Sequence, residues 1–114
     1  MIPTEFGIIE DINETDNYDY NPKKYGCVAI DDDLYINDWW HRLLLMKTYF
    51  NYLNHPEFGL ARWGITIIPP ESLPMLQEIV LSDRRIAKDD RLAALAAKIQ
   101  DAALRGKYMI HYGV

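Results

Sequence analysis

Residues Asp38–Asn54, with the sequence DWWHRLLLMKTYFNYLN, carry the apolar pattern from which the fold is predicted. Wound as a helix, the stretch has apolar residues around most of its circumference, which is typical of a helix covered on more than one side. Asn37 or Asp38 can cap its first turn, and Pro56 follows its end. The stretch therefore predicts one long central helix. Its principal face has alternating spacings of four and three, and is formed by Trp39, Leu43, Met46, Phe50 and Leu53.

Four strands and two further helices are predicted on either side of that helix, in the order β-β-α-β-α-α-β. The first two strands are most simply antiparallel, and the segment 61–114 is compatible with a right-handed crossover between parallel neighbours. We predict an α+β domain, in which a small mixed four-stranded sheet packs against the long central helix and the two further helices. The predicted strands are Thr4–Ile12, Tyr25–Ile30, Ala61–Ile68 and Lys107–Val114, and the predicted helices are Pro70–Leu81 and one that starts after Asp89 or Asp90 and runs to Leu104, before Gly106.

The composition indicates the class of protein. The chain has 114 residues, of which 49% are hydrophobic, and this is enough for one domain with its own core, so we predict a single domain over residues 1–114. Cys27 is the one cysteine, so it cannot form an internal disulfide, and it suits a reducing compartment. The first residues lack the basic start and long apolar run of a signal peptide, and we expect a cytoplasmic protein.

Charge is distributed unevenly along the chain, whose formal net charge is -5. Residues 1–38 contain ten acidic and two basic residues, whereas residues 39–114 contain seven acidic and ten basic residues. Proteins that bind phosphate backbones usually present a basic surface, so we do not expect direct binding to nucleic acid. The asymmetry indicates instead a partner that is itself basic.

The candidate binding residues lie in two acidic segments that also carry tyrosines. Tyrosine supplies rigid contact area and is enriched at interface hot spots, and carboxylates steer a cationic partner towards its site. If the two segments share one face, they form a binding surface for a basic protein; if they do not, they are ordinary solubilising charges. We expect the aspartates to be exposed. The candidate partner-binding residues are Asp16, Tyr18, Asp19, Tyr20, Asp31, Asp32, Asp33 and Tyr35.

Other kinds of site find little support in the residue patterns. A calcium loop that begins at Asp31 needs Gly at its sixth position and Glu at its twelfth, where the chain has Ile36 and Arg42. No Ser or Cys stands in a recognisable nucleophile motif, and there is no zinc-binding spacing. We therefore expect no metal, no cofactor and no catalytic residue. The histidines are scattered through the sequence, at His41, His55 and His111.

The leading hypothesis is a non-enzymatic binding protein that presents an acidic, tyrosine-bearing surface to a basic partner. A concrete version is a bacterial immunity protein that inhibits a cationic toxin, such as a nuclease. One alternative is a small enzyme or ligand-binding domain with a pocket of His, Asp and Tyr. Another is a regulatory or structural subunit that forms homo-oligomers through an apolar patch. Trp40 and Trp63 are the residues to inspect for exposure, since either side chain can stack on a ligand.

Overall fold

The computed structural model describes residues 2–13 and 18–114. These residues form a six-stranded sheet with the spatial order β2-β1-β6-β5-β3-β4, in which every neighbouring pair is antiparallel. The strands are β1 (Pro3–Ile9), β2 (Val28–Asp31), β3 (Lys47–Phe50), β4 (Pro56–Phe58), β5 (Ile65–Ile68) and β6 (Tyr108–Tyr112). The prediction of an α+β fold is confirmed, as is the antiparallel pairing of the first two strands.

Three α-helices connect the strands: α1 (Asn37–Leu43), α2 (Leu73–Leu81) and α3 (Asp90–Arg105). A π-helical turn, Asp32–Ile36, leads into α1, and 3-10 turns precede α2 and α3 at Pro70–Ser72 and Arg84–Ala87. The Asp89 carboxylate caps α3 by accepting the backbone N–H of Arg91, and Gly106 ends it with a left-handed φ of 64°. No helix in the described part of the chain is both long and apolar enough to cross a membrane.

The predicted long helix over Asp38–Asn54 is wrong beyond its first two turns. Helix α1 ends at Leu43, and Lys47–Phe50 forms β3, which is hydrogen-bonded to β4 on one side and β5 on the other. Leu44 and Leu45 lie in the turn between them and are exposed. A short apolar run fits a buried strand as well as a buried helix. In this protein the run is a strand because it pairs with β4 and β5.

The prediction of a mixed four-stranded sheet is wrong in two respects. The sheet gains β3, which was predicted as part of the long helix, and β4, for which no strand was predicted. The last two strands are also antiparallel, with Ile65 opposite Tyr112 and Ile68 opposite Met109. The two helices predicted between these strands are present, as α2 and α3. An even number of alternating helices returns the chain in the opposite direction, whereas a single crossover helix returns it parallel.

The helices cover one face of the sheet, and the main core lies between these two layers. Residues of all three helices belong to this core, together with the inward-facing residues of the strands. We call the opposite side the helix-free face. A second, smaller cluster lies on it and includes two tyrosines from the β1–β2 loop, so that the loop covers part of this face. The buried members of that cluster are Ile9, Tyr18, Tyr25, Ile67, Ile110 and Tyr112.

Candidate functional site

The loop between β1 and β2 folds back over the helix-free face. The Tyr112 hydroxyl donates to the carbonyl of Asp19 at 2.9 Å and accepts the backbone N–H of Asn21 at 3.2 Å. These two hydrogen bonds fix the loop above β6. Tyr18 precedes them and is buried in the second cluster, so this predicted surface residue belongs to the interior.

Tyr20 is held in place although 65% of it is exposed. Its hydroxyl donates to the carboxylate of Glu5 on β1. Its ring meets the ring of Tyr112 nearly edge-on, with 5.0 Å between centroids and 71° between planes. The hydrogen bond to Glu5 raises the pKa of the Tyr20 phenol, so the hydroxyl stays protonated and available as a donor. An exposed aromatic side chain is thus fixed beside a carboxylate.

The register of β1 and β2 brings the second acidic segment to the same place. Pro3 lies opposite Asp31, and Glu5 lies opposite Ala29. Glu5 and Asp31 are therefore diagonal neighbours on the same face of the sheet. Asp31 also accepts the backbone N–H of Asp33, whose side chain is exposed. We call the resulting group the acidic edge, which consists of Glu5, Asp19, Tyr20, Asp31 and Asp33.

Asp32 does not belong to the acidic edge, and the prediction that it is exposed is wrong. Its side chain is 3% exposed, and its Oδ2 accepts hydrogen bonds from Nη2 of Arg62 at 2.7 Å and from Nε at 3.1 Å. Its Oδ1 is buried without a hydrogen-bond partner among the described residues. Asp32 starts the π-helical turn, so the chain direction changes between Asp31 and Asp33 and turns the middle carboxylate inward. Arg62 neutralises it.

Tyr35 also lies in the interior, although it was a predicted surface residue. Its hydroxyl donates to Asp89, and its ring contacts the guanidinium of Arg85, 4.6 Å from the ring centroid, and the indole of Trp39. Burial, together with the hydrogen bond to Asp89, raises the pKa of Tyr35 to about 12. The Arg85 guanidinium lowers the pKa of the neighbouring Asp83 carboxyl to about 2. These ion pairs and rings fasten the start of α1 to the start of α3.

The sequence analysis missed two residues, Glu5 and Arg62. Glu5 looked like a polar residue of an ordinary strand, and its place beside Tyr20 depends on how the loop folds back. Arg62 was counted as part of a strand, whereas it lies in a turn before β5. Because side chains alternate along a strand, Glu5 lies on the face opposite Phe6. This alternation could have indicated that Glu5 does not face the helices. The remaining predicted residue, Asp16, lies outside the described residues.

A cleft of about 350 Å³ lies between the β1–β2 loop and α3. Its basic residues outnumber its acidic ones, and Arg105 binds both Glu10 and Asp101. This charge suits an anion rather than a basic partner. None of the three histidines lines the cleft: His41 and His55 are exposed on the surface, and His111 is buried. The cleft is lined by Ile8, Glu10, Lys23, Lys24, Tyr25, Gly26, Lys98, Asp101 and Arg105.

No cluster of three or more His, Cys, Asp or Glu side chains over residues 2–13 and 18–114 could hold a metal ion. Comparison with known proteins found no matching family model, no matching curated protein and no matching solved structure. The arrangement of the side chains is therefore the basis for a functional proposal.

Proposed function

We propose that this protein is a non-enzymatic binding module whose acidic edge binds a basic protein. One observation carries the proposal: the acidic segments on either side of β2 meet through Glu5, which accepts a hydrogen bond from Tyr20 and is the diagonal neighbour of Asp31. Converging carboxylates attract a cationic partner and discriminate against acidic ones. Tyr20 adds an exposed, already ordered contact.

The charges of three carboxylates of the acidic edge are available to a partner. Glu5, Asp31 and Asp33 form no ion pair with a basic side chain among the described residues, and Tyr20 and backbone N–H groups are their hydrogen-bond partners where they have one. Other carboxylates are neutralised within the fold. Arg105 pairs with Glu10 and Asp101, for example. Glu5, Asp31 and Asp33 thus retain negative charge that no ion pair among the described residues neutralises.

In its concrete form, the proposal is a bacterial immunity protein that acts in the cytoplasm on a cationic toxin of the nuclease type. Carboxylates on a rigid sheet edge then occupy the basic groove in which the toxin binds phosphates. Tyr20 excludes water from the contact, which strengthens the neighbouring charge pairs. Such a partner has a basic surface of similar extent, and its association weakens as the salt concentration rises.

Charge reversal tests this proposal. The protein is immobilised, and basic proteins are captured from an extract of the native cells at low and high salt. The double variant Asp31→Lys, Asp33→Lys is compared with Glu71→Lys, Glu78→Lys, which makes the same change of charge at exposed positions on the α2 side. We expect the wild type and the α2 variant to capture the same basic protein at low salt and the acidic-edge variant to lose it. Undiminished capture by the acidic-edge variant contradicts the proposal.

A second candidate function is homo-oligomerisation, which a different surface favours. Strand β4 is the free edge of the sheet on the side far from β2, and its Phe58 is 59% exposed. Leu44 and Leu45 are exposed close by, since a Cβ added to Gly59, the residue after β4, would lie 3.2 Å from Cδ2 of Leu44. Light scattering over a range of concentrations measures the molar mass. A dimer that dissociates in the variant Phe58→Glu supports this second function, whereas a monomer at every concentration excludes it.

A further inference from the structure

The cleft between the β1–β2 loop and α3 has basic side chains on both of its walls. On the helix wall, Lys98, Asp101 and Arg105 are spaced by three and four residues, so they share one face of α3. On the loop wall, Lys23 and Lys24 stand in the turn that precedes β2. The volume of about 350 Å³ falls within the range of sites that hold small molecules.

Both acidic residues of the cleft are neutralised by Arg105. Its Nη1 donates to Glu10 at 2.6 Å, its Nε donates to Asp101 at 3.0 Å, and its Nη2 donates to both carboxylates, at 2.8 and 3.1 Å. The hydrogen bonds from Arg105 lower the pKa of the Glu10 carboxyl, so this carboxylate remains charged and paired. All three guanidinium nitrogens are thus engaged, and the lysines supply the remaining charge of the cleft.

Lys98 is the central cation of this group. It is partly buried, yet its ammonium group forms no hydrogen bond and no ion pair with any residue that the structure describes. Its Nζ would lie 3.3 Å from a Cβ added to Gly26, so the ammonium group reaches the loop wall, where the glycine leaves space. Lys23 forms no ion pair within the described ranges either. Nζ of Lys24 lies 5.4 Å from the ring centroid of Tyr25.

We propose that this cleft binds the phosphate group of a small organic phosphate ester. Ammonium groups that line one cleft concentrate anions there, and a bound anion relieves their mutual repulsion. A phosphate monoester carries about two negative charges at pH 7 and three acceptor oxygens, so it can pair with Lys23 and Lys98 together, whereas a carboxylate brings one charge. Lysine binds phosphate as a compact charge with three donors.

The organic part of the ligand contributes less to binding than the phosphate. Ile8 and Tyr25, the large apolar residues of the lining, are both buried, so the cleft offers little apolar surface to a ligand. No member of the acidic edge lines the cleft. The inference therefore goes beyond the proposed function and does not rest on it.

Calorimetry with glycerol phosphate as the probe tests the proposal. Glycerol lacks only the phosphate, and acetate at equal ionic strength measures the effect of a single negative charge. We expect glycerol phosphate to bind the wild type and the other two probes not to bind. Lys98→Met keeps a long side chain without its charge and should weaken binding about tenfold, whereas Lys98→Arg should retain part of the affinity. Lys47→Met removes the same charge at an exposed position on β3 and should bind like the wild type.

The proposal is overturned if glycerol phosphate does not bind the wild type, or if Lys98→Met and Lys47→Met bind it equally well. Inorganic phosphate that binds without glycerol phosphate would identify a site for the free ion instead of an ester. Retention on vesicles of phosphatidylcholine with phosphatidic acid, without binding of glycerol phosphate, would assign the phosphate to a lipid headgroup. Either result overturns the small-molecule ligand. Thermal unfolding verifies that each variant is folded.

The cleft and the acidic edge can be tested separately with the same proteins. Lys98→Met should capture the basic partner like the wild type, and Asp31→Lys, Asp33→Lys should still bind glycerol phosphate. Loss of glycerol phosphate binding in Lys98→Met alone supports the cleft, whatever the outcome of the capture experiment. Loss of glycerol phosphate binding in the folded acidic-edge variant, with Lys98→Met unaffected, would contradict a site in the cleft.

Discussion

The Nε2 atom of His111 lies 2.6 Å from Oγ1 of Thr4, in the interior of the protein. Thr4 donates its hydroxyl hydrogen to the carbonyl of Tyr112 at 3.1 Å, so it accepts the hydrogen bond from Nε2. On the other side of the ring, Nδ1 is 3.2 Å from Oγ1 of Thr66, which accepts the backbone N–H of Ala61 and has its own hydrogen to donate. Both threonines therefore favour neutral His111 with its proton on Nε2.

Complete burial lowers the pKa of His111 to about 3. In the unfolded chain the imidazole titrates near pH 6.5, so between about pH 6.5 and 3 the unfolded chain binds more protons than the folded one. The free energy of unfolding should then fall as the pH falls through this range, by up to about 1.4 kcal/mol per pH unit. Urea unfolding of the wild type and of His111→Gln, whose amide can donate and accept without titrating, measures the effect. A decline that is equally steep in both proteins refutes it.

Removing one partner of the Asp32–Arg62 ion pair should cause a large loss of stability. Arg62→Met leaves the carboxylate of Asp32 buried, and this should lower the free energy of unfolding by about 3–5 kcal/mol. The double variant Asp32→Leu, Arg62→Met removes both charges and should recover much of that loss. Denaturant titration of the single and double variants gives the comparison. A loss below about 1 kcal/mol for Arg62→Met contradicts the burial of the charge.

The elements that the sequence predicts best are those whose ends carry local signals. Pro70 and Ser82 bracket α2, and Asp89 and Gly106 cap α3. These signals act within one turn of the chain, so they can be recognised without knowing the fold. Strand β3 carries no such signal. Its apolar residues fit both the helical and the strand period. It is a strand because it pairs with β4 and β5, and the residues of β3 alone do not reveal that pairing.

The roles of the residues in the candidate site also depend on contacts that local sequence does not reveal. Asp31, Asp32 and Asp33 are chemically identical and consecutive, yet one caps a turn, one is buried against Arg62 and one faces solvent. Composition predicts an acidic surface but cannot assign these roles, because Arg62 comes from a remote turn. The tyrosines divide in the same way. Tyr20 is exposed, whereas Tyr35 is fixed by contacts with another helix.

The β1–β2 loop approaches β1 closely at Gly7. A Cβ atom there would lie 2.7 Å from both the carbonyl oxygen of Tyr25 and Sγ of Cys27. The same carbonyl accepts the N–H of Ile8 at 2.9 Å, so the loop cannot move away freely. Gly7→Ala should lower the free energy of unfolding by about 1–3 kcal/mol through overpacking.

Thermal or denaturant unfolding measures the effect of Gly7→Ala against a second glycine variant. Gly106→Ala puts a side chain at a left-handed φ of 64°, where no atom lies within 4 Å of the added Cβ. It therefore reports backbone strain alone, which should be about 1 kcal/mol. A loss for Gly7→Ala no larger than that for Gly106→Ala would show that the loop yields to the added methyl group.

Tyr20 tests whether the acidic edge contacts a partner or merely holds the loop. Because the ring is 65% exposed, Tyr20→Ala should leave the unfolding midpoint almost unchanged but weaken binding of a basic probe, an oligo-arginine peptide, about tenfold. Tyr20→Phe keeps the ring, loses the hydrogen bond to Glu5 and should have an intermediate affinity. Tyr52→Ala, at a tyrosine that is 58% exposed between β3 and β4, is the matched control and should bind like the wild type. Calorimetry gives the affinities, and equal binding by Tyr20→Ala and Tyr52→Ala would remove Tyr20 from the contact surface.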